Sequence, residues 1–347
     1  MNVTGLMSGT SLDGLDLCFA DFGENENGDF HYKIQAAETF PYPQDLKKRL
    51  SSAQELNAFD FILLHNEYGR YLGERVVEFL TKHKCKSDFV ASHGHTVFHQ
   101  PSKSLTFQIG SGAEIAAVTG LPVICDFRSL DVALGGQGAP LVPVGDELLF
   151  PDCDYCLNIG GFANISFRRN GKRVAYDICP ANIVLNMYAE QRGKTFDAGG
   201  EMAASGALCR DLLDELNSLE YYSEQGPKSL GREWAEQHFI PVVERSGISV
   251  EDKLRTLCEH IAIQIASASG AGKMLVTGGG AFNSFLIQRI SAHCRCCVTV
   301  PDDLTVNFKE ALIFAFLGQL YLRNRAGCLS SVTGATVDNI GGAMYRR

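Results

Sequence analysis

At 347 residues the chain is longer than a single hydrophobic core normally grows, which predicts two domains. Hydrophobic residues make up 45% and charged residues 20%, the proportions of an ordinary soluble globular protein. A net charge of −9, from 31 basic against 40 acidic side chains, excludes nucleic acid and anionic membrane surfaces, since phosphate-rich partners are met by clustered Lys and Arg.

No stretch of about 18 apolar residues predicts a membrane span. The first residues, Met1-Asn-Val-Thr4, open directly on a strand without the basic and apolar regions of an export signal. A cytoplasmic location with reduced thiols is expected for the twelve cysteines. Cys18, Cys125 and Cys258 lie inside apolar segments and read as core residues. Cys153-x-x-Cys156 and the trio Cys294, Cys296 and Cys297 have ligand-like spacing, but no His/Cys pair completes a zinc-finger pattern.

In chain order, residues 2–7, 15–22 and 31–40 predict three strands, the last two joined by the polar loop Gly23-Glu-Asn-Glu-Asn-Gly-Asp29. Helices are expected at 43–50 and 56–84. In the second, Phe59, Ile62, Leu63, Tyr68, Tyr71, Leu72, Val76 and Leu80 recur at roughly helical spacing. Strands at 88–92 and 104–109, a helix at 113–119 and a strand at 121–125 follow. After the Gly- and Pro-rich passage around Gly135-Gly-Gln-Gly-Ala-Pro140 the plan restarts. Strands are expected at 154–159, 163–169 and 172–177, with Asn170-Gly171 as a type I′ hairpin signal. Helices at 181–192, 200–218, 231–240 and 250–269, a strand at 273–277, a helix at 282–292, a strand at 297–300 and a helix at 308–324 complete the series. One βββαβαβα plan used twice predicts an α/β fold of two domains with a ligand cleft between them. The expected boundaries are 1–126, completed by 325–347, and 127–324.

Three Gly-rich elements fall at equivalent strand ends. The first is Gly5-Leu-Met-Ser-Gly-Thr-Ser-Leu-Asp-Gly-Leu-Asp16. Bare N–H groups of Gly9 and Gly14, the Thr10 and Ser11 hydroxyls and the backbone through Leu12 and Leu15 suit phosphate oxygens. Asp13 and Asp16 fit such a loop only with a divalent cation, which places Mg²⁺ at Asp13; the alternative is a tight β-turn. The second element is Leu157-Asn-Ile-Gly-Gly-Phe-Ala-Asn-Ile-Ser166, with Asn158, Gly160 and Gly161. The third is Met274-Leu-Val-Thr-Gly-Gly-Gly-Ala-Phe-Asn283, where Gly278, Gly279, Gly280 and Asn283 lead into a helix and allow close approach of a nucleoside. Alone, each is a weak signal, and a Gly-Gly-Gly turn is more often a structural connection than a nucleotide site. In this order on a duplicated plan they match the actin-like ATPase (ribonuclease H-like) architecture closing over ATP.

Other polar segments sit at strand ends. Ser92-His-Gly-His-Thr-Val-Phe-His99 reads as a solvated loop or, less simply, a zinc site. Arg128 could grip a carboxylate bidentately or pair with Asp126 or Asp131. Asp177 is a candidate general base or a helix cap.

These motifs, with His93-Gly-His-Thr96, Asp126-Phe-Arg-Ser-Leu-Asp131, Pro227-Lys-Ser-Leu-Gly-Arg-Glu233 and Lys309-Glu-Ala311, occur in order along nearly the whole chain. The sequence resembles the 1,6-anhydro-N-acetylmuramic acid kinase family of actin-like sugar kinases. The resemblance implies hydrolysis of the 1,6-anhydro bridge with phosphorylation of O6 by ATP and Mg²⁺. The product would be N-acetylmuramic acid 6-phosphate, made in peptidoglycan recycling in the cytoplasm. It further implies Asp177 as base, Ser8, Thr96, Gln108, Arg128 and Glu310 around the sugar, and by analogy a homodimer.

Departures from the family pattern fall near the chemistry: His95 replaces a Gln, Asp177-Ile-Cys-Pro-Ala-Asn182 replaces Asp-Thr-Gly-Pro-Gly-Asn, and Asn186 stands where an acid is expected. The alternatives are an amino-sugar kinase without bridge hydrolysis and a non-catalytic ATP-binding homologue.

Overall fold

The computed structural model describes residues 1–9, 12–224 and 226–347. It divides into two compact units, Met1–Phe150 with Phe308–Arg347, and Pro151–Asn307.

The first unit starts with the expected meander: β1 (Asn2–Ser8), β2 (Leu15–Glu24) and β3 (Phe30–Phe40), each antiparallel to the last. Helices α1 (Gln44–Ser51) and α2 (Ala58–His83) follow, and Asn57 caps α2 by accepting from Asp60 N–H at 3.1 Å. Strand β4 (Phe89–Gln100) then returns parallel to β1, and β5 (Leu105–Ile109) folds back on it. After α3 (Gly112–Thr119), β6 (Val123–Cys125) lies parallel to β4. The short helices α4 (Ser129–Ala133) and α5 (Val142–Leu149) close the N-terminal part.

The second unit repeats the meander with β7 (Tyr155–Ile159), β8 (Phe162–Arg169) and β9 (Lys172–Pro180). Both Asn170 (φ 52°) and Gly171 (φ 76°) are left-handed, as a type I′ turn requires. Helices α6 (Asn182–Glu190), α7 (Glu201–Ser205), α8 (Arg210–Asn217), α9 (Arg232–Trp234), α10 (Ile240–Arg245) and α11 (Val250–Ala268) come next. Strand β10 (Gly272–Thr277), α12 (Ser284–His293) and β11 (Cys296–Thr299) complete its five-stranded sheet, ordered β11-β10-β7-β8-β9.

Helix α13 (Asp303–Leu322) carries the chain back to the first unit, where α14 (Ser330–Thr333) and β12 (Ala343–Tyr345) follow. The main path of that seven-stranded sheet runs β12-β6-β4-β1-β2-β3. Three antiparallel strands followed by parallel ones in both units is the duplicated α/β plan expected from the sequence.

Each sheet has its own apolar core. Leu6, Leu17, Phe19, Leu64, Leu72, Val76 and Phe79 fill one face of the first sheet. Leu157, Ile165, Leu254, Leu257, Ile261 and Val276 fill the second unit. Each buried aliphatic side chain contributes about 1.5–3 kcal/mol. On the other face of β1 the approach of α13 is so close that a Cβ on Gly5 would sit 2.0 Å from the Ala311 carbonyl oxygen. Lys309 anchors the same helix to α5 through an ion pair with Asp146 at 2.6 Å, both nearly inaccessible.

Several local expectations shift. The buried face of α2 runs through Leu64, Tyr68, Leu72, Val76 and Phe79, with Phe61 packed against the same core, and leaves Phe59, Ile62 and Leu63 exposed because they lie off that stripe of the helix. The segment 92–99 is not a loop: it continues β4, since its partner β5 pairs along it. The expected helix at 200–218 breaks at Gly206, where a Cβ would meet the Glu251 carbonyl oxygen at 2.1 Å. The unit boundaries fall at 150/151 and 307/308, against 126/127 and 324/325 from sequence, because α4, α5 and most of α13 pack with the first sheet.

Candidate functional site

In the first unit, β1 ends beside the middle of β4, and an irregularity in their register decides what they present. Leu6 pairs with Ser92 and Ser8 with His95, so β4 carries one extra residue. Gly94 absorbs it with φ 73°, and a Cβ there would meet the Ile109 carbonyl oxygen at 2.5 Å. The bulge sends His93 and His95 to opposite faces of the sheet, one towards α13 and the other towards α2.

His93 packs its ring 4.5 Å from that of Phe314. Its Nε2 accepts from Arg128 Nε at 3.0 Å and lies 2.9 Å from Nη2, so Nδ1 bears the proton and donates to the Gly94 carbonyl at 2.9 Å. Burial, aided by the Arg128 charge, holds this imidazole neutral, well below its ordinary pKa. Arg128 also donates from Nη1 to the Gly138 carbonyl at 2.6 Å. Gly138 N–H in turn donates to Asp131 at 2.8 Å, and the same buried carboxylate accepts from Thr333 Oγ1 and Asn339 Nδ2, each at 2.8 Å. The two aspartates weighed as Arg128 partners are thus engaged elsewhere: Asp131 in this clasp, Asp126 with the Ser129 hydroxyl.

On the other face, Tyr42 OH donates to Ser8 Oγ at 2.8 Å and lies 2.7 Å from Tyr68 OH, while Ser8 Oγ is 3.2 Å from His95 Nδ1. Tyr42 has one proton and gives it to Ser8, so Tyr68 donates to Tyr42, and the Ser8 proton is left free for His95 Nδ1. With Ser8 donating, His95 is the Nε2–H tautomer, and burial keeps the ring neutral by lowering its pKa to about 4. The Ser8 hydroxyl, expected at the sugar, is 1% exposed in this relay.

The neighbouring loop begins with Leu12 N–H donating to the Gly9 carbonyl at 3.2 Å. Thr10 and Ser11, the two expected phosphate donors, lie outside the described residues. Leu12 and Leu15 put their side chains into the core, which leaves their backbone alone to face a ligand. Asp13 is exposed and Gly14 packs on Thr39. Burial raises the Asp16 carboxyl; the Thr39 hydroxyl at 2.6 Å opposes that rise and Asp13 adds to it. Glu310 is exposed yet surrounded by protein atoms, which raises its pKa; Arg128 lowers it and Asp16 raises it. Thr96 and Gln108 face each other across β4 and β5, with the Gln108 amide donating to Thr106 Oγ1 at 3.0 Å.

In the second unit, Asp177 sits near the end of β9, held by the Pro227–Glu233 motif. Its N–H donates to the Lys228 carbonyl at 3.1 Å, and its Oδ2 accepts from Leu230 N–H at 2.9 Å and Ser229 Oγ at 3.2 Å. Oδ1 has no hydrogen bond to a described residue. Burial raises this carboxyl above the usual aspartate range, with the two Oδ2 donors opposing. It caps no helix: α6 starts five residues later, and its leading amides at 181, 182 and 183 donate to the carbonyls of Gly160 and Gly161.

The glycine elements of this unit interlock. A Cβ on Gly278 would lie 2.5 Å from Asn158 Oδ1, and one on Gly280 2.2 Å from Ile159 Cγ2. Asn182, Gly279, Gly280 and Asn283 line a cavity of about 510 Å³, within the range that takes small ligands. Asn186, Phe196, Asp197 and Phe282 also line it. Phe196, Asp197 and Phe282 were not among the residues singled out from sequence; the available signal was an aromatic beside Asp197-Ala-Gly-Gly200 in a polar loop. No group of three or more His, Cys, Asp or Glu side chains among the described residues is placed to hold a metal.

The profile of the anhydro-N-acetylmuramic acid kinase family matches residues 1–347. The chain belongs to that family. Membership makes it a phosphotransferase. A relative of that name from Pseudomonas paraeruginosa is 35% identical over 98% of each chain, and one from Vibrio parahaemolyticus 34% over 99% of this chain and 98% of that one. Among solved structures, the activator of the 2-hydroxyisocaproyl-CoA dehydratase from Clostridium difficile with bound ADPNP overlaps with a TM-score of 0.45 at 16% identity, over 93% of this chain and 97% of that one. An overlap that slight adds nothing to the assignment. Among the described residues, no helix is long and apolar enough to cross a membrane.

Proposed function

We propose that the protein converts 1,6-anhydro-N-acetylmuramic acid, ATP and water into N-acetylmuramic acid 6-phosphate and ADP. The half-tethered Asp177 carboxylate carries this reading. Oδ2 is fixed by two donors while Oδ1 is open, and burial makes the group a stronger base than a solvated aspartate. In the proposed reaction Oδ1 takes a proton from water as the water oxygen bonds to C1. The C1–O6 bond breaks, and O6 forms the new bond to the γ-phosphorus of ATP as the bond to ADP breaks.

Arg128, locked by His93 and Gly138, would present the rest of its guanidinium to the sugar, with Thr96, Gln108 and Glu310 beside it. The backbone of Gly9, Leu12, Asp13 and Gly14 and the Thr10 and Ser11 hydroxyls would take the phosphates. Asn158, Gly160 and Gly161 with Gly278, Gly279, Gly280 and Asn283 would take the nucleoside end. Asp13 and Asp16 are near enough to raise the Asp16 pKa, a charge arrangement that suits a hydrated divalent cation. Mg²⁺ held there would spread charge on the transferring phosphoryl group.

The test is sugar-dependent ADP release in ¹⁸O-water, with mass spectrometry of the product. One heavy oxygen at C1 in a 6-phosphorylated sugar is the expected result. Turnover without heavy oxygen, or only on sugars lacking the bridge, would leave an amino-sugar kinase without hydrolysis. Nucleotide binding with no turnover on any sugar would overturn the catalytic reading.

A further inference from the structure

Three phenylalanines among the described residues are strongly exposed: Phe59 at 77%, Phe196 at 59% and Phe282 at 43%. Two of the three line one cavity, that of the second unit. Aromatic faces left in water beside a hollow of about 510 Å³ mark a site for a flat, apolar-faced ligand.

The polar groups around them narrow the ligand further. Asp197 is fully occupied, its two oxygens accepting from the N–H groups of Met202 at 2.9 Å and Ala203 at 3.0 Å. Asn283 spends its carbonyl on Leu286 N–H at 2.9 Å, and Asn182 spends its amide on the Ile159 carbonyl at 3.1 Å. Asn186, one turn beyond Asn182 on α6, has no hydrogen bond to any described residue. Its carbonyl acceptor and its N–H donors stand side by side, unspent, in a cavity with no unspent charge. Set against the N7 edge of a purine, that amide complements adenine, which shows an N6 donor beside the N7 acceptor, and mismatches guanine, which shows two neighbouring acceptors, N7 and O6.

We propose that Phe196 and Phe282 bracket the base of an adenine nucleotide while Asn186 reads its edge. The proposal rests on the reading of this unit as the nucleotide end of the kinase site. It assigns to the two rings the grip on the base and to Asn186 the selection of ATP over GTP.

The experiment is titration calorimetry of the full chain with non-hydrolysable analogues of ATP, GTP and 2′-deoxy-ATP. The wild type should bind the adenine analogue more tightly than the guanine one. Asn186→Leu should cut that ratio by about 10-fold, and Phe282→Ala and Phe196→Ala should weaken both analogues alike by about 5- to 10-fold. Thermal melts and retained sugar binding report folding, and Asn186→Ser serves should the leucine variant fail to fold. An unchanged ratio in a folded Asn186 variant overturns the assignment, as does a loss seen with ATP but not with 2′-deoxy-ATP, which would move Asn186 to the ribose. Tight nucleotide binding indifferent to all three variants would move the base elsewhere and leave the kinase reading standing. Failure of every nucleotide to bind would overturn both.

Discussion

The two units use one strand plan for opposite styles of site. In the first, two of the residues expected at the sugar, Arg128 and Ser8, belong to side-chain networks locked by buried hydrogen bonds. Asp131 holds Gly138, Gly138 holds Arg128 and Arg128 holds His93; on the other face Tyr68, Tyr42 and Ser8 hold His95. In the second, the cavity is made of bare backbone at Gly279 and Gly280, two exposed rings and one unpartnered amide. Asp177 alone in that unit resembles the first style, with one carboxylate oxygen tied and the other open. Rigid side-chain placement suits a group that must move a proton; glycine backbone suits close approach to a ligand whose own faces supply the contacts.

The sharpest break of that contrast is Asp177→Asn. The amide cannot accept a proton from water, so kcat should fall by about 10²- to 10⁴-fold, with nucleotide affinity at the glycine cavity unchanged. The proposed base would work ionised, and burial raises its pKa, so in the wild type activity should be lost, as pH falls, at values above those where an ordinary aspartate titrates. An acid limb in the usual aspartate range, or a variant retaining turnover, would count against the assignment.

Next in size is the anchor of α13. Lys309→Ala takes the cation from a buried pair with the Asp146 carboxylate, and removing one partner of a buried pair costs about 3–5 kcal/mol. The loss should stay local. Hydrogen exchange should accelerate within Met1–Phe150 and Phe308–Arg347 while Pro151–Asn307 keeps its protection. Equal loss in both units would mean that they unfold as one cooperative body.

What the sequence disclosed and what it hid follow the same division. The meanders, the Asn170-Gly171 turn and the Gly-rich strand ends were legible because each is written within a few neighbouring residues. The clasp on Asp131 joins residues 202 and 208 positions away, and the relay joins Ser8 to residues 34 and 87 positions away. No local pattern encodes such pairings. The bulge at Gly94 shows the limit well: the glycine is visible, but the direction it gives to His93 and His95 depends on the register of β4 against β1. Phe196 and Phe282 were missed for the opposite reason, since an apolar residue in sequence reads as core until its exposure is seen.

A smaller effect tests whether His95 is as enclosed as its partners require. Its folded pKa, about 4, lies below the ordinary 6.5, so as pH falls through this window the unfolded chain takes up a proton that the folded chain refuses. Stability is therefore complete above pH 6.5 and declines towards pH 4, by ~3 kcal/mol from this residue. His93 in the first unit and His260 in the second are lowered in the same direction. His95→Gln keeps an acceptor for Ser8 and removes the titration, so urea midpoints for the variant should slope less steeply between pH 7 and 4. An unchanged slope would mean that His95 meets water in the folded state.

The smallest expected effect is the most specific. Tyr42→Phe deletes the hydroxyl that fixes the direction of every proton in the relay, at a cost near 1 kcal/mol. Without that donor, Ser8 can turn its own proton away from His95, and the imidazole is no longer bound to the Nε2–H form. Nitrogen-15 spectra of the ring should show the wild-type His95 as a single Nε2–H tautomer, and the variant as a mixture. His93, whose tautomer is set by Arg128 and Gly94 on the other face of the sheet, should keep its Nδ1–H signature in both. A variant that leaves His95 unmixed would show that Ser8 is oriented by something other than Tyr42. A change at His93 would show that the bulge at Gly94 couples the two faces it separates.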